Sequence, residues 1–232
     1  MRILLFPIWI IVFFSCQNSK TVVYQNKVAR LVNPGDTIVA AKKRAVLTVN
    51  DTTFVNIRDY SDNFIFDMKY ATEDNFLKAK VYDCAECYLR LKTVKALIKA
   101  DSVFNKRGYR IKLFDCYRPL TIQKRMWAIV NNPSYVADPA KGSIHNRGGA
   151  VDITLVDSNG NELDMGTPFD FFGIKAGHNY RALPNEVIAN RLLLKKGMVQ
   201  NGFQPLESEW WHYDLDGSRK DKVSDFKWEC EE

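Results

Sequence analysis

Apolar residues follow two spacings along this chain, one of two residues and one of three to four. The first spacing is typical of a strand with one buried face, and the second of an amphipathic helix. The pattern predicts strands over 63–70, 109–116 and 151–156, and helices over 88–104, 119–130 and 185–200. Gly108 is expected to end the first helix, and Pro119 suits the first turn of the second. This mixture of helices and antiparallel strands predicts an α+β fold.

The strand at 151–156 carries one carboxylate away from its apolar face. Val151 and the other odd-numbered residues point to one side, whereas Asp152 points to the other. The following Asp-Ser-Asn-Gly, residues 157–160, predicts a turn that leads to a partner strand.

Two of the three histidines lie near carboxylates, a combination that suits a metal ion. Neutral imidazole and ionised carboxylate both bind zinc, and a catalytic zinc keeps three protein ligands and one position for water. We therefore expect His145, Asp152 and His212 to hold one zinc ion. Glu209 is then left to act as the general acid and base of a hydrolase.

Local backbone geometry limits how these residues meet. The glycines in loop 146–149 supply the freedom needed to bring His145 to the same metal. Glu209 and His212 are three residues apart, so they converge only if Glu209 lies in the entry to the strand or on a bulge. In a simpler interpretation the neighbouring tryptophans are core residues and His212 is a buried, hydrogen-bonded histidine.

Several segments in the same order resemble one family, the VanX-type D-alanyl-D-alanine dipeptidases. These are zinc peptidases related to the D-Ala-D-Ala carboxypeptidases and to the hedgehog signalling domain. The similar segments are 70–76, 115–119, 143–152, 164–170 and 209–212, and the resemblance spans roughly 54–215. It implies a small antiparallel sheet with zinc on one face and helices packed behind. It also implies zinc binding by His145, Asp152 and His212, with Glu209 as the catalytic base.

The resemblance gives Arg118 the role of stabilising the negative charge of the tetrahedral intermediate. A guanidinium suits that role because it stays charged and offers a rigid fork of donors. The alternative is a surface arginine, or one paired with Asp115. Asp115 itself is expected either to hold Arg118 or to meet the substrate ammonium, and Ser143 to bind substrate or support His145. For His178 we favour a structural role.

The N-terminus predicts export. An apolar run at 3–14 is too short to span a membrane comfortably, and Ser15 before Cys16 resembles a bacterial lipoprotein cleavage site. Phe13 departs from the aliphatic residue usual at that motif. The expected organisation is a signal peptide at 1–15, a lipoprotein tether and N-terminal extension at 16–50, and one catalytic domain at 51–232. A lipidated Cys16 would anchor the protein to a membrane of the bacterial envelope.

Four cysteines remain if Cys16 is lipidated, namely Cys84, Cys87, Cys116 and Cys230. An exported chain meets an oxidising environment, so two disulfides are possible, with plain buried thiols as the alternative, and four cysteines permit three pairings. The Cys84-x-x-Cys87 spacing leaves a redox pair or half a structural zinc site as less favoured alternatives.

The net charge of +6 does not indicate a nucleic-acid partner. The basic residues are dispersed, and no nucleic-acid-binding motif accompanies them. A basic face could instead keep a tethered protein close to anionic lipid or cell-wall polymer.

The leading hypothesis is a zinc dipeptidase that hydrolyses D-Ala-D-Ala or a related cell-wall dipeptide. One alternative is a D,D- or L,D-carboxypeptidase that acts on peptidoglycan stem peptides. Another is a non-catalytic wall-binding lipoprotein that keeps the fold without turnover.

Overall fold

A five-stranded sheet forms the centre of the computed structural model, which describes residues 49–230. The strands of this range, in chain order, are β1 (Phe54–Asn56), β2 (Ile65–Phe66), β3 (Tyr88–Arg90), β4 (Arg110–Asp115), β5 (Ala150–Val156), β6 (Phe203–Pro205) and β7 (His212–Leu215). The large sheet has the order β2-β4-β5-β7-β6, and β1 and β3 form a separate two-stranded ribbon. Every residue of the central strand β5 is buried.

The expected antiparallel pairing holds for β4, β5, β6 and β7, whereas the edge strand β2 pairs with β4 in parallel. A parallel pair needs a long crossover connection, and here the chain between β2 and β4 passes through β3 and a helix. The α+β class is confirmed.

Three helices accompany the sheets within the described residues: α1 (Leu91–Asn105), α2 (Leu120–Ile129) and α3 (Asn185–Val199). Leu97 and Phe104 lie on the buried face of α1, in the core that this helix shares with α3 and the sheet. A Cβ built on Gly197 of α3 would lie 2.2 Å from the ring of Phe104, so only glycine permits this close approach. Helix α2 packs on a second cluster that includes Tyr70 and Tyr82.

Some element boundaries differ from the sequence prediction. The helix predicted from 88 begins at Leu91, because 88–90 form β3 and pair with β1. Of the strand predicted over 63–70, only Ile65–Phe66 is extended, and Lys69–Ala71 form a 3-10 turn. The turn at 157–160 leads to a single bridge between Val156 and Glu162 rather than to a partner strand.

Two disulfides select one of the three possible pairings: Cys84 with Cys230 and Cys87 with Cys116. The alternatives of a Cys84–Cys87 redox pair and of half a zinc site are therefore wrong. Helices long and apolar enough to cross a bilayer are absent from the described part of the chain. The signal peptide predicted at 1–15 and nearly all of the tether predicted at 16–50 lie outside the described residues.

Candidate metal centre

Three candidate ligands converge on one face of the sheet. Asp152 on β5 and His212 on β7 are register partners, and His145 lies in the 3-10 helix His145–Arg147 that precedes β5. One ligand atom from each of the three lies within 4.8 Å of the other two. The local reason is that Gly148, with a φ of 70°, turns the chain between His145 and the strand.

Hydrogen bonds fix the orientation of both imidazoles. Nδ1 of His145 donates to the carbonyl of Cys116 at 2.7 Å, which leaves Nε2 as the ligand atom. Nε2 of His212 donates to Oδ1 of Asp214 at 2.9 Å, which leaves Nδ1 facing Asp152. Such outer partners are typical of metal-ligating histidines because they select the tautomer and raise ligand basicity.

Sequence reasoning missed Asp214. The spacing of two residues between His212 and Asp214 could have revealed it, because that spacing places both side chains on the same face of β7.

The cluster favours positive charge at its centre. Burial lowers the pKa of His212, but the hydrogen bonds to Asp152 and Asp214 outweigh it and raise that pKa to about 10. Burial raises the pKa of Asp152, and the neighbouring imidazoles outweigh it and hold that pKa below its usual range. Two imidazole nitrogens and a carboxylate oxygen within 4.8 Å of one another fit a divalent transition metal.

Glu209 lies in the turn that enters β7, as the spacing predicted. Its backbone N–H donates to the carbonyl of Leu206 at 3.0 Å, and its own carbonyl accepts from His212 at 3.4 Å. Burial raises the pKa of the Glu209 carboxyl, and Asp152 adds to this, while His212 acts in the opposite direction. Glu209 also borders a groove of about 570 Å³, whose wall includes Phe172.

The tryptophans next to Glu209 are core residues, as the simpler interpretation held. Trp210 and Trp211 are both buried, and the indole of Trp210 donates to Thr167 at 2.8 Å. Their packing fixes the turn that carries Glu209, so the structural and the functional interpretations of this segment are compatible.

Arg118 is buried rather than on the surface. Its Nη2 donates to Oδ2 of Asp115 at 2.6 Å, and its Nη1 to Oε1 of Gln123 at 3.0 Å. Oδ1 of Asp115 accepts from the hydroxyl of Tyr82 at 2.7 Å, and Asp115 is fully buried. Of the two roles considered for Asp115, this geometry favours holding Arg118 over meeting an ammonium group.

The structure ties Ser143 to the loop that precedes His145. Both the backbone N–H and the hydroxyl of Ser143 donate to Oδ1 of Asn146, at 2.7 and 3.1 Å. This geometry favours support of His145 over contact with substrate.

The third histidine, His178, is not a member of the metal cluster. It is buried, with its backbone N–H bonded to the carbonyl of Glu207. Burial lowers its pKa to about 4, so it stays neutral at ordinary pH. This placement supports the structural role that the sequence favoured.

Asp170 is a second acidic residue that sequence reasoning left unassigned, although segment 164–170 was part of the resemblance. It has a φ of 58°, an unusual conformation for a residue with a side chain. The hydroxyl of Tyr70 donates to its carboxylate at 3.0 Å. Burial raises the pKa of Asp170 well above its usual value, and Asp152 adds to this. The ring of Tyr70 also lies 5.2 Å from the guanidinium carbon of Arg118, so Tyr70 links Asp170 to the same site.

Peptide hydrolysis needs an electrophile for the carbonyl oxygen, a base for water and a donor for the oxyanion. Groups suited to these three roles lie at this site: the backbones of Arg118 and Glu209 are hydrogen-bonded to those of His145 and His212. The fold and the site together therefore define a metallopeptidase. The chain belongs to the peptidase M15 family of D-ala-D-ala dipeptidases, whose model matches residues 50–228. The family resemblance read from the sequence is confirmed.

Relatives are similar over most of the same range. The D-alanyl-D-alanine dipeptidase of Escherichia coli K12 is 36% identical over 168 residues, covering 72% of this chain and 87% of the relative. The D-alanyl-D-alanine dipeptidases of Enterococcus faecium and Streptomyces coelicolor are each 31% identical, over 171 and 175 residues. Each of these two alignments covers 65% of this chain and 85% of the relative.

Proposed function

We propose that this protein is a zinc-dependent dipeptidase that hydrolyses D-Ala-D-Ala or a closely related cell-wall dipeptide. The convergence of His145, Asp152 and His212 within 4.8 Å carries the proposal. The substrate is supported by the relatives, each of which is named a D-alanyl-D-alanine dipeptidase. The donor set suits one zinc ion per chain.

When bound, zinc lowers the pKa of water and polarises a carbonyl. Glu209 accepts a proton from the attacking water and later returns a proton to the departing amine. Its raised pKa suits both steps, because a proton shuttle works best when its pKa is near the operating pH. Arg118 donates to the developing oxyanion, and its bond to Asp115 holds the guanidinium in place.

Asp170 supplies a negative group for the free ammonium of a dipeptide. Its carboxylate is partly buried and already accepts a hydrogen bond from Tyr70, so its orientation is set before substrate binds. An ammonium placed there would offset the burial that raises the pKa of Asp170. A requirement for a free ammonium would select dipeptides over the interior of longer peptides.

We also propose that the protein is exported and anchored to the bacterial envelope through a lipidated Cys16. Two disulfides support this location, since such bonds form and persist in oxidising compartments. Replacing Cys16 by Ala should move the protein from the membrane fraction to the soluble fraction of cells. An unchanged membrane fraction would contradict the lipid anchor.

The test of function is release of free D-Ala from D-Ala-D-Ala by the purified full chain, with zinc and with a chelator. No release from the zinc-loaded protein would contradict the dipeptidase proposal. Carboxypeptidase action on stem peptides and a non-catalytic wall-binding role are not favoured. The named relatives are dipeptidases, and this chain retains all of the groups expected for turnover.

A further inference from the structure

The Cys87–Cys116 disulfide lies where β4 ends beside the metal centre. Both cysteines are fully buried. The pairing of β4 with β5 shifts register between Leu113 and Asp115, so the ladder is already irregular where the chain leaves the sheet. Contacts outside the regular ladder must therefore help to fix the backbone of Cys116.

The backbone of Cys116 contacts two parts of the site. Its carbonyl accepts from Nδ1 of His145 at 2.7 Å, and its N–H donates to Oδ1 of Asp115 at 2.9 Å. The other oxygen of Asp115 accepts from Arg118 at 2.6 Å. A displacement of Cys116 would therefore disturb a metal ligand and the arginine together.

On its other side Cys116 is attached to the β1–β3 ribbon. The carbonyl of Cys87 accepts from the N–H of Ile57 at 3.1 Å, directly after β1. The N–H of Tyr117 donates to the carbonyl of Tyr88, the first residue of β3, at 2.9 Å. The disulfide thus couples the end of β4 to a second, separately paired element.

We propose that the Cys87–Cys116 disulfide positions the metal centre. It holds the Cys116 carbonyl where that group keeps Nε2 of His145 directed at the metal, and it holds Asp115 where that residue aligns Arg118. This inference rests on the proposed function, because it assumes that a metal ion binds at this site. Its role is positional, since the two sulfurs are bonded to each other and both cysteines are buried.

The second disulfide supplies a matched control. Cys84 and Cys230 are 146 residues apart, compared with 29 for Cys87 and Cys116. Closing the longer loop restricts the unfolded chain more, so its loss should reduce thermal stability more. A purely structural role for both disulfides therefore predicts that loss of Cys84–Cys230 has the larger effect on every measurement.

The experiment compares the full chain with the variants C87A/C116A and C84A/C230A. Zinc affinity is measured by competition with a chelator, the Co²⁺ spectrum reports ligand geometry, and thermal unfolding reports stability. Loss of an outer partner typically lowers metal affinity by about 10- to 100-fold, and we expect that loss in C87A/C116A together with an altered spectrum. C84A/C230A should keep its zinc affinity and spectrum although its melting temperature falls further.

A folded C87A/C116A protein with unchanged zinc affinity and Co²⁺ spectrum would overturn the inference. Absence of metal binding by the unmodified chain would instead contradict the proposed function. If C87A/C116A does not fold, C87V/C116A restores part of the lost volume. If neither variant folds, the folded C84A/C230A protein is treated with a water-soluble phosphine, which reduces the remaining Cys87–Cys116 disulfide to two thiols. The phosphine becomes a phosphine oxide, with its oxygen taken from water. Unchanged affinity after that reduction would likewise overturn the inference.

Discussion

Asp152 and His212 face each other across β5 and β7, with Oδ1 of the carboxylate 2.9 Å from Nδ1 of the imidazole. Direct register partners on neighbouring strands keep their side chains on the same face. Two of the three ligands are therefore placed by the regular ladder, and only His145 depends on a loop.

Removing Asp214 should weaken metal binding without removing a ligand. Asp214→Ala deletes the acceptor that orients His212, so zinc affinity should fall by about 10- to 100-fold. Asp214→Asn keeps an oxygen acceptor, so its zinc affinity should fall less than that of Asp214→Ala. Chelator competition measures both, and exposed Asp216→Ala is the control. Equal affinity in Asp214→Ala and the unmodified chain would contradict this role.

The pH dependence of kcat/KM should reflect Glu209. Burial raises the pKa of this carboxyl, so just above the usual glutamate range it still carries a proton and cannot act as a base. Activity should therefore rise with pH through that raised pKa and fall on acidification. Glu209→Gln should retain zinc and lose about 10²- to 10⁴-fold in rate. A Glu162→Gln control should keep both rate and profile, and the same retention in Glu209→Gln would refute the assignment.

Arg118→Lys tests whether the arginine acts on the oxyanion. Lysine keeps a positive charge but loses the planar fork that Asp115 and Gln123 hold, so kcat should fall by about 10²- to 10³-fold. Zinc content should stay at one per chain, since Arg118 is not a ligand. Steady-state kinetics with parallel metal analysis is the measurement, and an unaltered kcat would remove Arg118 from the proposed mechanism.

Asp170→Asn should weaken recognition of the free ammonium. A hydrogen bond to a charged group contributes about 1.5–3 kcal/mol, so KM for D-Ala-D-Ala should rise by about tenfold or more. N-acetyl-D-Ala-D-Ala lacks the charge, and the variant should no longer distinguish it from the free dipeptide. If the variant still strongly prefers the free dipeptide, Asp170 is not the ammonium partner.

The local pattern of apolar and polar residues was enough to predict much of the fold and of the metal site. The alternation around Asp152 predicted its strand and its direction, and the spacing of Glu209 from His212 predicted the irregular entry to β7. Helices α2 and α3 lie within a residue of their predicted bounds. These features depend on residues close together in sequence, where periodicity carries information.

Apart from Asp214, which lies two residues from His212, the site features that sequence did not predict depend on distant contacts. Asp115 accepts from Tyr82, 33 residues away, and Tyr70 donates to Asp170, 100 residues away. The pairing of Cys87 with Cys116 likewise depends on how the end of β4 meets the β1–β3 ribbon. Nothing in the local pattern distinguishes such pairings from the alternatives, because they are decided by the packing of whole elements.

The Cys84–Cys230 bond limits the damage that a single proteolytic cut can do. It closes a covalent ring around the segment that contains every proposed metal ligand. Cleavage of one peptide bond in a surface loop of that segment leaves both pieces attached, so a nicked molecule can keep its metal centre whole.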